Sequence, residues 1–561
     1  MVHSPTGKTG GVVAAVESLA TEAGAQILRA GGNAADAAIA TAFAQCVVNP
    51  VLAGIAGSFH GLFWDAEAKQ AAVISSGGRA PRKSRRDMWQ RTGQAGAIWM
   101  VAGDVNRLGY QASTIPGFIR GAAEAHSRFG SGRISWADLI TPAAALAADG
   151  FEVYPYLYRY WLPNTQYMQN SLGGDEAERI LHFCEATRRI FLHDDGSVYE
   201  IGERLVQTDY AATLLRVAEQ GPDEFYEGET ARRIADDFAA HDGLLDAEDL
   251  RDFRPDITEP VRTAYHEFDV LTETTPSVGP VTLELLNILG GWDLKALGWN
   301  TPQYLDRLAR AMHVVFRDRL ELLGDPDHVE VPLDRILSGE HAAELRRAIE
   351  GGTDVRGSAR IAAPSEGTTH VSVVDGAHNG AAITHSIGQS SGVVTPGLGF
   401  LHNSHMEMFD PVPGSRNGIE PGKRPITGGG PVLFLRDGAL HLLIGSPAGA
   451  LKVTSIVQAF LNMTEFGMGI QEAVSAHRIH AENEPRTVVV EPTFPPAPLL
   501  GLAKLGQHIR YEAYSGRLAG VTVSPDGELV GASDPRGDPG VAVVPHGVTA
   551  ARPTGLRPLS E

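Results

Sequence analysis

Near residue 368 the sequence changes its periodicity, and that change is the strongest constraint on what this chain can fold into. From Ile115 to about Ile349 most segments carry apolar residues at helical spacing among charges, as in Pro302 to Leu323, with Pro and Gly between them. After Ala363 the phrases HVSVVD, GAAITHSI, PVLFLRDGALHLLIG and VTVSPDGELVG are short, rich in β-branched residues and separated by Gly, Asp and Asn turns. A helix-rich stretch is thus followed by a strand-rich last third. No internal repeat is visible, so the pattern predicts a mixed α/β (α+β) fold with a division at Thr368, into residues 1–367 and 368–561.

The first segments refine this picture. Small and apolar residues recur at helical spacing from Val12 to Ile27, break at Gly31-Gly32 and resume from Ala34 to Phe43, which predicts two helices packed closely through alanines. From Ser58 to Ile74 the pattern alternates, with Leu62, Trp64, Ala71 and Val73 on the apolar positions, and predicts a hairpin. Gly351 to Gly367, GGTDVRGSARIAAPSEG, reads as a mobile or exposed polar loop.

Composition excludes several roles. A net charge of −20 over 561 residues argues against phosphate-backbone binding, and the one basic run, Arg82-Lys83-Ser84-Arg85-Arg86, reads as a solvated loop. Two cysteines, Cys46 and Cys184, build neither a disulfide framework nor a thiolate metal site and are expected to be buried apolar residues. The N-terminal residues lack a charged region followed by an apolar run and a cleavage site, and no apolar stretch is long enough to span a bilayer. The expectation is a cytoplasmic protein.

Several motifs invite a chemical reading and carry a plainer one beside it. Gly388-Gln389-Ser390-Ser391-Gly392 matches the G-x-S-x-G elbow of serine hydrolases, but it leads into Val393-Val394-Thr395-Pro396-Gly397 instead of a helix and reads as a glycine-rich loop. His370, His385, His402 and His405 are expected to be satisfied or pocket-lining, because the His402/His405 spacing joins two ligands only on a helix and no H-E-x-x-H occurs. No metal and no cofactor are expected. Gly428-Gly429-Gly430 lacks the Gly-Lys-Ser/Thr of a phosphate cradle and reads as a tight turn, and Gly445-Ser446-Pro447-Ala448-Gly449 reads as a strand-ending turn.

Glu366-Gly367-Thr368-Thr369-His370 is the most informative junction, since a polar loop meets a strand at a Gly-Thr bond. A threonine hydroxyl needs a nearby base, and cutting the bond before it frees an α-amine whose ordinary pKa, about 7.7 to 8.0, suits that task. Gly367 tolerates the backbone geometry that an N-to-O acyl shift requires. Taken alone, the spacing makes Thr368 a plain strand residue.

Eight collinear phrases decide the matter. AGAQILRAGGNAADAAIA (23–40), IPGFIRGAAEAH (115–126), DLITPAAALAADGF (138–151), LLGDPDHVEVPLDRILS (322–338), TTHVSVVD (368–375), GLGFLHNSHMEMF (397–409), GKRPITGGGP (422–431) and IGSPAGALKVTSIVQ (444–458) resemble the γ-glutamyltranspeptidase family along almost the whole chain. The resemblance implies an N-terminal-nucleophile hydrolase with a four-layer αββα sandwich. Such a protein is made as a precursor that cuts itself, here between Gly367 and Thr368, into a large and a small chain that stay together as a heterodimer. Whether such pairs dimerise further stays open.

Carried over by position, the resemblance makes Thr368 the nucleophile of both processing and catalysis, and its freed amine the base. Thr369, the next residue, is expected beside the substrate, Ser386 takes the place of the family's second threonine, and the backbone N–H groups of Ala448 and Gly449 form the oxyanion hole. The substrate clamp departs from the family. Its carboxylate-gripping arginine falls at Gly77, with Arg79 two places late; its asparagine becomes Gly388; its acidic residue becomes Met408, with Glu407 adjacent; and its two serines become Thr427 and Gly428. Each lost hydrogen bond to a charged group costs about 1.5 to 3 kcal/mol, so two losses weaken γ-glutamyl recognition by roughly 10²- to 10⁴-fold.

The implied activity is therefore hydrolysis of a small-molecule amide through a Thr368 ester, with water or an amine as acceptor and an acyl group that need not be γ-glutamyl. Family relatives with other acyl groups include cephalosporin acylases and an oxamate amidohydrolase. Two alternatives stand beside it: a true γ-glutamyltransferase or glutathione hydrolase whose clamp is rebuilt from Arg79, His405 or Glu407, and a binding protein that kept the fold and lost turnover.

Overall fold

The computed structural model describes residues 9–95, 98–161, 176–352, 367–482, 484–512 and 516–546. Most of the polar loop that precedes Gly367, including Glu366, and the first eight residues of the N-terminal stretch lie outside them. Two antiparallel sheets dominate. Their strands, in chain order, are β1 (Thr9–Ala15), β2 (Ser58–Asp65), β3 (Gln70–Ser76), β4 (Asp256–Thr258), β5 (Val261–Tyr265), β6 (Phe268–Thr272), β7 (Thr369–Asp375), β8 (Gly380–Ser386), β9 (Val432–Arg436), β10 (Ala439–Gly445), β11 (Ala519–Val523), β12 (Leu529–Ser533) and β13 (Gly540–Pro545). The first sheet runs β13-β1-β7-β8-β2-β3-β4 and the second β12-β11-β10-β9-β6-β5. Each sheet combines strands from both sides of residue 368, and in the first sheet β7 and β8 lie between β1 and β2.

The sheets face each other across an apolar layer of Val12, Ala14, Leu62, Trp64, Val73, Val374, Leu433, Leu443 and Val521. The contact is close enough that a side chain at Gly380 would meet Leu440 and Leu443 of the opposite sheet. Helices α1 (Ser18–Arg29), α2 (Ala34–Val48), α3 (Phe118–Phe129), α4 (Trp136–Asp149) and α5 (Thr208–Gln220) cover the outer face of the first sheet. Helices α6 (Gly279–Leu289), α7 (Pro302–Leu322), α8 (Gly339–Glu350) and α9 (Leu451–Thr464) cover the second. The result is a four-layer αββα sandwich. Leu443→Ala, in the middle layer, is expected to cost about 2 to 5 kcal/mol of unfolding free energy with an unchanged denaturant slope, read by urea titration of the full chain.

Much of the local pattern behaves as expected. The hairpin β2–β3 places Leu62, Trp64 and Val73 in the middle layer with Ala71 packed against it, and the four β-rich phrases form β7 to β12. Two expectations need correcting. Val12 to Ala15 is a strand, not the start of a helix, because β1 is paired on both edges and buried on both faces, so its side chains show no alternation. Residues 256–272, inside the stretch read as helical, form three strands that edge the two sheets. Cys46 is buried, whereas Cys184 is partly exposed at the start of a short helix, with Sγ 3.1 Å from the Thr187 hydroxyl. No described helix is long and apolar enough to cross a membrane.

Candidate active site

Antiparallel pairing of β7 with β8 sets Thr369 opposite His385, so that Thr368, the residue before β7, reaches Ser386 at the end of β8. Thr368 is 7% exposed, and its Oγ1 lies 3.5 Å from Ser386 Oγ. Both hydroxyls donate to one acceptor, the carbonyl oxygen of Gly367. Ser386 Oγ in turn accepts the N–H of Gly388 at 2.8 Å. Gly367 is packed so tightly here that a Cβ would run into the carbonyl of Gly388.

Behind Thr368 lies a buried polar group that sequence reading did not find. Arg517 Nη2 donates to the Thr368 carbonyl at 3.2 Å and its Nη1 lies 3.4 Å from Glu17 Oε1. Glu17 also receives Gln45 at 2.7 Å, Asn49 at 2.8 Å and the Thr369 hydroxyl. Burial pushes the Glu17 carboxyl up, against the pull of Arg517. Thr369 therefore points away from the pocket into this support, a correction to its expected place beside substrate, because successive strand residues face opposite sides. Arg517→Met is expected to slow any self-cleavage at Thr368 by about tenfold and to lower stability by about 3 to 5 kcal/mol, since Glu17 is left buried without its cation. Adding Glu17→Gln is expected to restore part of the stability, measured by thermal unfolding beside a processing time course.

The candidate oxyanion turn belongs to the second sheet. After β10, Ser446-Pro447-Ala448-Gly449-Ala450 turns into α9, with Ala448 at φ 78° and Gly449 at φ 47°. The left-handed region costs alanine energy that glycine avoids, so its presence here marks a constrained turn. Among the described residues no acceptor pairs with the N–H of Ala448 or Gly449, and both stand at the N-terminal end of α9, where the helix field favours negative charge. Gly428 packs on this turn, its missing Cβ position 3.2 Å from Gly449 Cα, and Thr427 Oγ1 accepts the Gly429 N–H at 3.3 Å.

The rim holds the remaining candidates. His405 is 1% exposed, neither ring nitrogen has a hydrogen-bond partner among the described residues, and its ring lies 3.3 Å from where a Cβ of Gly388 would stand. Desolvation, with His60 nearby, lowers its pKa to about 3, so it is neutral. Glu407 accepts the Ser404 hydroxyl at 3.2 Å and lies 3.9 Å from Arg107 Nε; Met408 is half-buried and its carbonyl accepts Asn417. Arg79 is not at the site, a second correction: it pairs with Asp256 at 2.7 Å and with the Gly422 carbonyl, because a strong carboxylate partner lies on the outer side of its loop.

His60 lies 3.3 Å from the missing Cβ position of Gly77, with Nδ1 2.9 Å from Glu273. Lys452, in the first turn of α9, sends Nζ to the Gly429 carbonyl at 2.7 Å. His60, Glu273 and Lys452 were missed because each looks in sequence like an isolated charge in an apolar element. Of the other histidines, His370 is satisfied by Thr384 and Ser372 and His385 bonds Gln45, while His402 bonds Thr395 through Nε2 and its buried Nδ1 has no hydrogen-bond partner among the described residues. Ser390 sits in a turn at φ 71° with no helix following, consistent with the loop reading of the G-x-S-x-G match. Among the described residues, the one group of three close metal-type ligands is Glu284, Asp318 and His341 in the outer helix layer, where Arg317 also pairs with Asp318.

Two facing antiparallel sheets between helix layers, with a threonine heading a central strand, define the N-terminal-nucleophile hydrolase architecture. The sequence model of the family described as Gamma-glutamyltranspeptidase matches residues 20–544. The chain is 34% identical to the Acylase ACY 1 proenzyme of Pseudomonas sp. (strain SE83), covering 98% of this chain and 96% of that one. It is 31% identical to the glutathione hydrolase proenzyme of Escherichia coli (strain K12), over 95% and 92% of the two chains. The crystal structure of cephalosporin acylase from Bacillus halodurans superposes with a TM-score of 0.84 at 28% identity, covering 97% of each chain. The chain belongs to the γ-glutamyltranspeptidase family.

Proposed function

We propose that this protein is a self-processing amide hydrolase in which Thr368 is the nucleophile of both processing and turnover. The observation that carries the reading is the convergence of the Thr368 and Ser386 hydroxyls on the Gly367 carbonyl oxygen. Two donors on one oxygen polarise that carbonyl, and the Thr368 hydroxyl is held against the bond it would cut.

In this reading Thr368 Oγ1 adds to the Gly367 carbonyl carbon, the amide nitrogen leaves, and an ester joins Gly367 to Oγ1. Water then cleaves the ester, giving a large segment, 1–367, and a small one, 368–561, that begins with a free α-amine. In turnover that amine accepts the hydroxyl proton as Oγ1 attacks the substrate amide, and returns it to the departing amine. The Ala448 and Gly449 N–H groups, unpaired among the described residues and at a helix N-terminus, hold the negative oxygen of the tetrahedral intermediate. Water releases the acid in the second half.

The acylase and glutathione hydrolase names of the relatives support amide bonds as the substrate and a precursor as the first product of synthesis. The rim favours an acyl group other than γ-glutamyl, because Gly77 and Met408 stand where the family's two charged contacts would be and Arg79 is committed to Asp256. The test is intact mass under denaturing conditions followed by a panel of acyl anilides. Two fragments, the smaller starting at Thr368, and hydrolysis of at least one anilide are expected; a chain that stays whole on long incubation overturns the reading.

A further inference from the structure

Three metal-type ligands meet in the helix layer that covers the second sheet. Glu284 on α6, Asp318 on α7 and His341 on α8 are 1%, 4% and 5% exposed. His341 Nε2 lies 3.0 Å from Asp318 Oδ2 and 3.3 Å from Glu284 Oε1, and the three ligand atoms all lie within 4.8 Å of one another. Because they come from three helices, they leave no motif in the sequence, and spacing alone gave no reason to expect a metal.

The three helices are held in place by other contacts. Ser338 Oγ accepts the His341 N–H at 3.1 Å and caps α8, Asn287 on α6 donates to the Leu337 carbonyl at 3.1 Å, and Arg346 on α8 donates to the Asn287 carbonyl at 2.7 Å. Arg317 binds the other oxygen of Asp318, Oδ1, at 2.9 and 2.7 Å, which leaves Oδ2 for the trio. Glu284 Oε1 is buried, faces the same space and has no hydrogen-bond partner among the described residues. His341 Nδ1 has none either, so the polar contacts of the ring run through Nε2 to the two carboxyl groups. Burial pushes the Glu284 carboxyl up to about 8, against the pull of His341 and with the Asp318 charge adding to the rise. The trio by itself therefore holds either an extra proton or a buried charge without a full counterpart.

We propose that Glu284, Asp318 and His341 bind one divalent transition-metal ion, zinc foremost, which ties α6, α7 and α8 together. Metal–ligand bonds of about 2.0 to 2.2 Å set neighbouring ligands about 2.8 to 3.6 Å apart in four- to six-coordinate shells, and both spacings from Nε2 fall in that range. An imidazole beside two carboxylates suits zinc, whereas calcium and magnesium take oxygen ligands. The ion supplies the charge that Glu284 Oε1 lacks, and its ligands are already oriented by the helix contacts around them. None of the three belongs to the pocket around Thr368, so the ion's part is structural and the inference stands apart from the nucleophile reading.

The experiment strips the full chain with a chelator, incubates it with zinc sulfate, desalts it, and reads metal content by plasma mass spectrometry beside thermal unfolding. The unmutated chain is expected to retain about one zinc ion and to melt at least about 3 °C higher than the stripped chain. In Glu284→Gln and in His341→Gln, retained zinc is expected to fall by at least about fivefold and the rise in melting temperature to vanish. An unmutated chain that retains no zinc and melts at one temperature with or without it overturns the site and leaves a proton shared by the two carboxyl groups in its place. Zinc retained in full by both folded variants sits elsewhere and also overturns it. Zinc-edge anomalous diffraction from the unmutated protein decides the question even if the variants fail to fold. A peak among the three side chains supports the site, and a map with none there overturns it.

Discussion

Thr368→Ala is expected to remain a single chain of about 59.7 kDa after any length of incubation and to lose amidase activity by at least about 10³-fold. The size follows from the double use of one atom. Oγ1 would attack Gly367 to release the amine, and the same Oγ1, now with that amine as base, would carry the acyl group in turnover, so its loss removes both steps at once. Ala at this position also leaves Ser386 as the only hydroxyl on the Gly367 carbonyl, and Ser386 belongs to a different strand and is not placed to form the five-membered ring of the acyl shift. Denaturing mass spectrometry and an anilide assay check it together. A Thr368→Ala protein that still appears as two fragments cut at this bond would mean that another group does the cutting.

Gly367→Ala is the second large effect, and it leaves every proposed catalytic atom in the sequence. A Cβ at residue 367 would overlap the carbonyl of Gly388, whose own N–H is held by Ser386 Oγ. Backbone cannot yield cheaply there, because β8 ends at Ser386 and its pairing with β2 and β7 fixes the register. The Gly367 carbonyl must then move away from the two hydroxyls that point at it, and self-cleavage is expected to slow by at least about 100-fold. Circular dichroism and the melting temperature serve as the folding control. Cleavage at the unmutated rate in a folded Gly367→Ala protein would show that the close approach to Gly388 plays no part in processing.

The sequence and the structure divide the description unevenly. Helix α7 was readable at Pro302 to Leu323, one residue from its end, because a long amphipathic period survives any tertiary context. The hairpin β2–β3 was readable as well, from the exposed polar turn at residues 65–70, although both faces of β2 are buried, Leu62 and Trp64 in the middle layer and Phe59 and Phe63 against the outer helices. Val12 to Ala15 failed for the opposite reason, since a strand buried on both faces shows no period of two and its small residues mimic an alanine-rich helix. Among the site residues, Thr368, Ser386, Ala448 and Gly449 were reached through phrases shared with a family; Thr368 and Ser386 meet at the Gly367 carbonyl, and Ala448 and Gly449 form a constrained turn before α9. Arg79 and Thr369 were named from their nearness in sequence, and the fold turned each toward a different partner.

What the sequence by itself determined is therefore the membership, the change from a helix-rich to a strand-rich half, and the local parts of the site: a glycine before a threonine, a hydroxyl at residue 386, a tight turn before α9. These depend on local chemistry and on positions that adjoin in the chain. What only the tertiary structure decided is the charge environment. Glu17 meets Arg517 across 500 residues, His60 meets Glu273 across 213, and Lys452 reaches the Gly429 carbonyl on the neighbouring loop. Such pairs leave no periodic trace, because burying one charge requires only that its partner arrive in space, and the distance along the chain does not enter that energy.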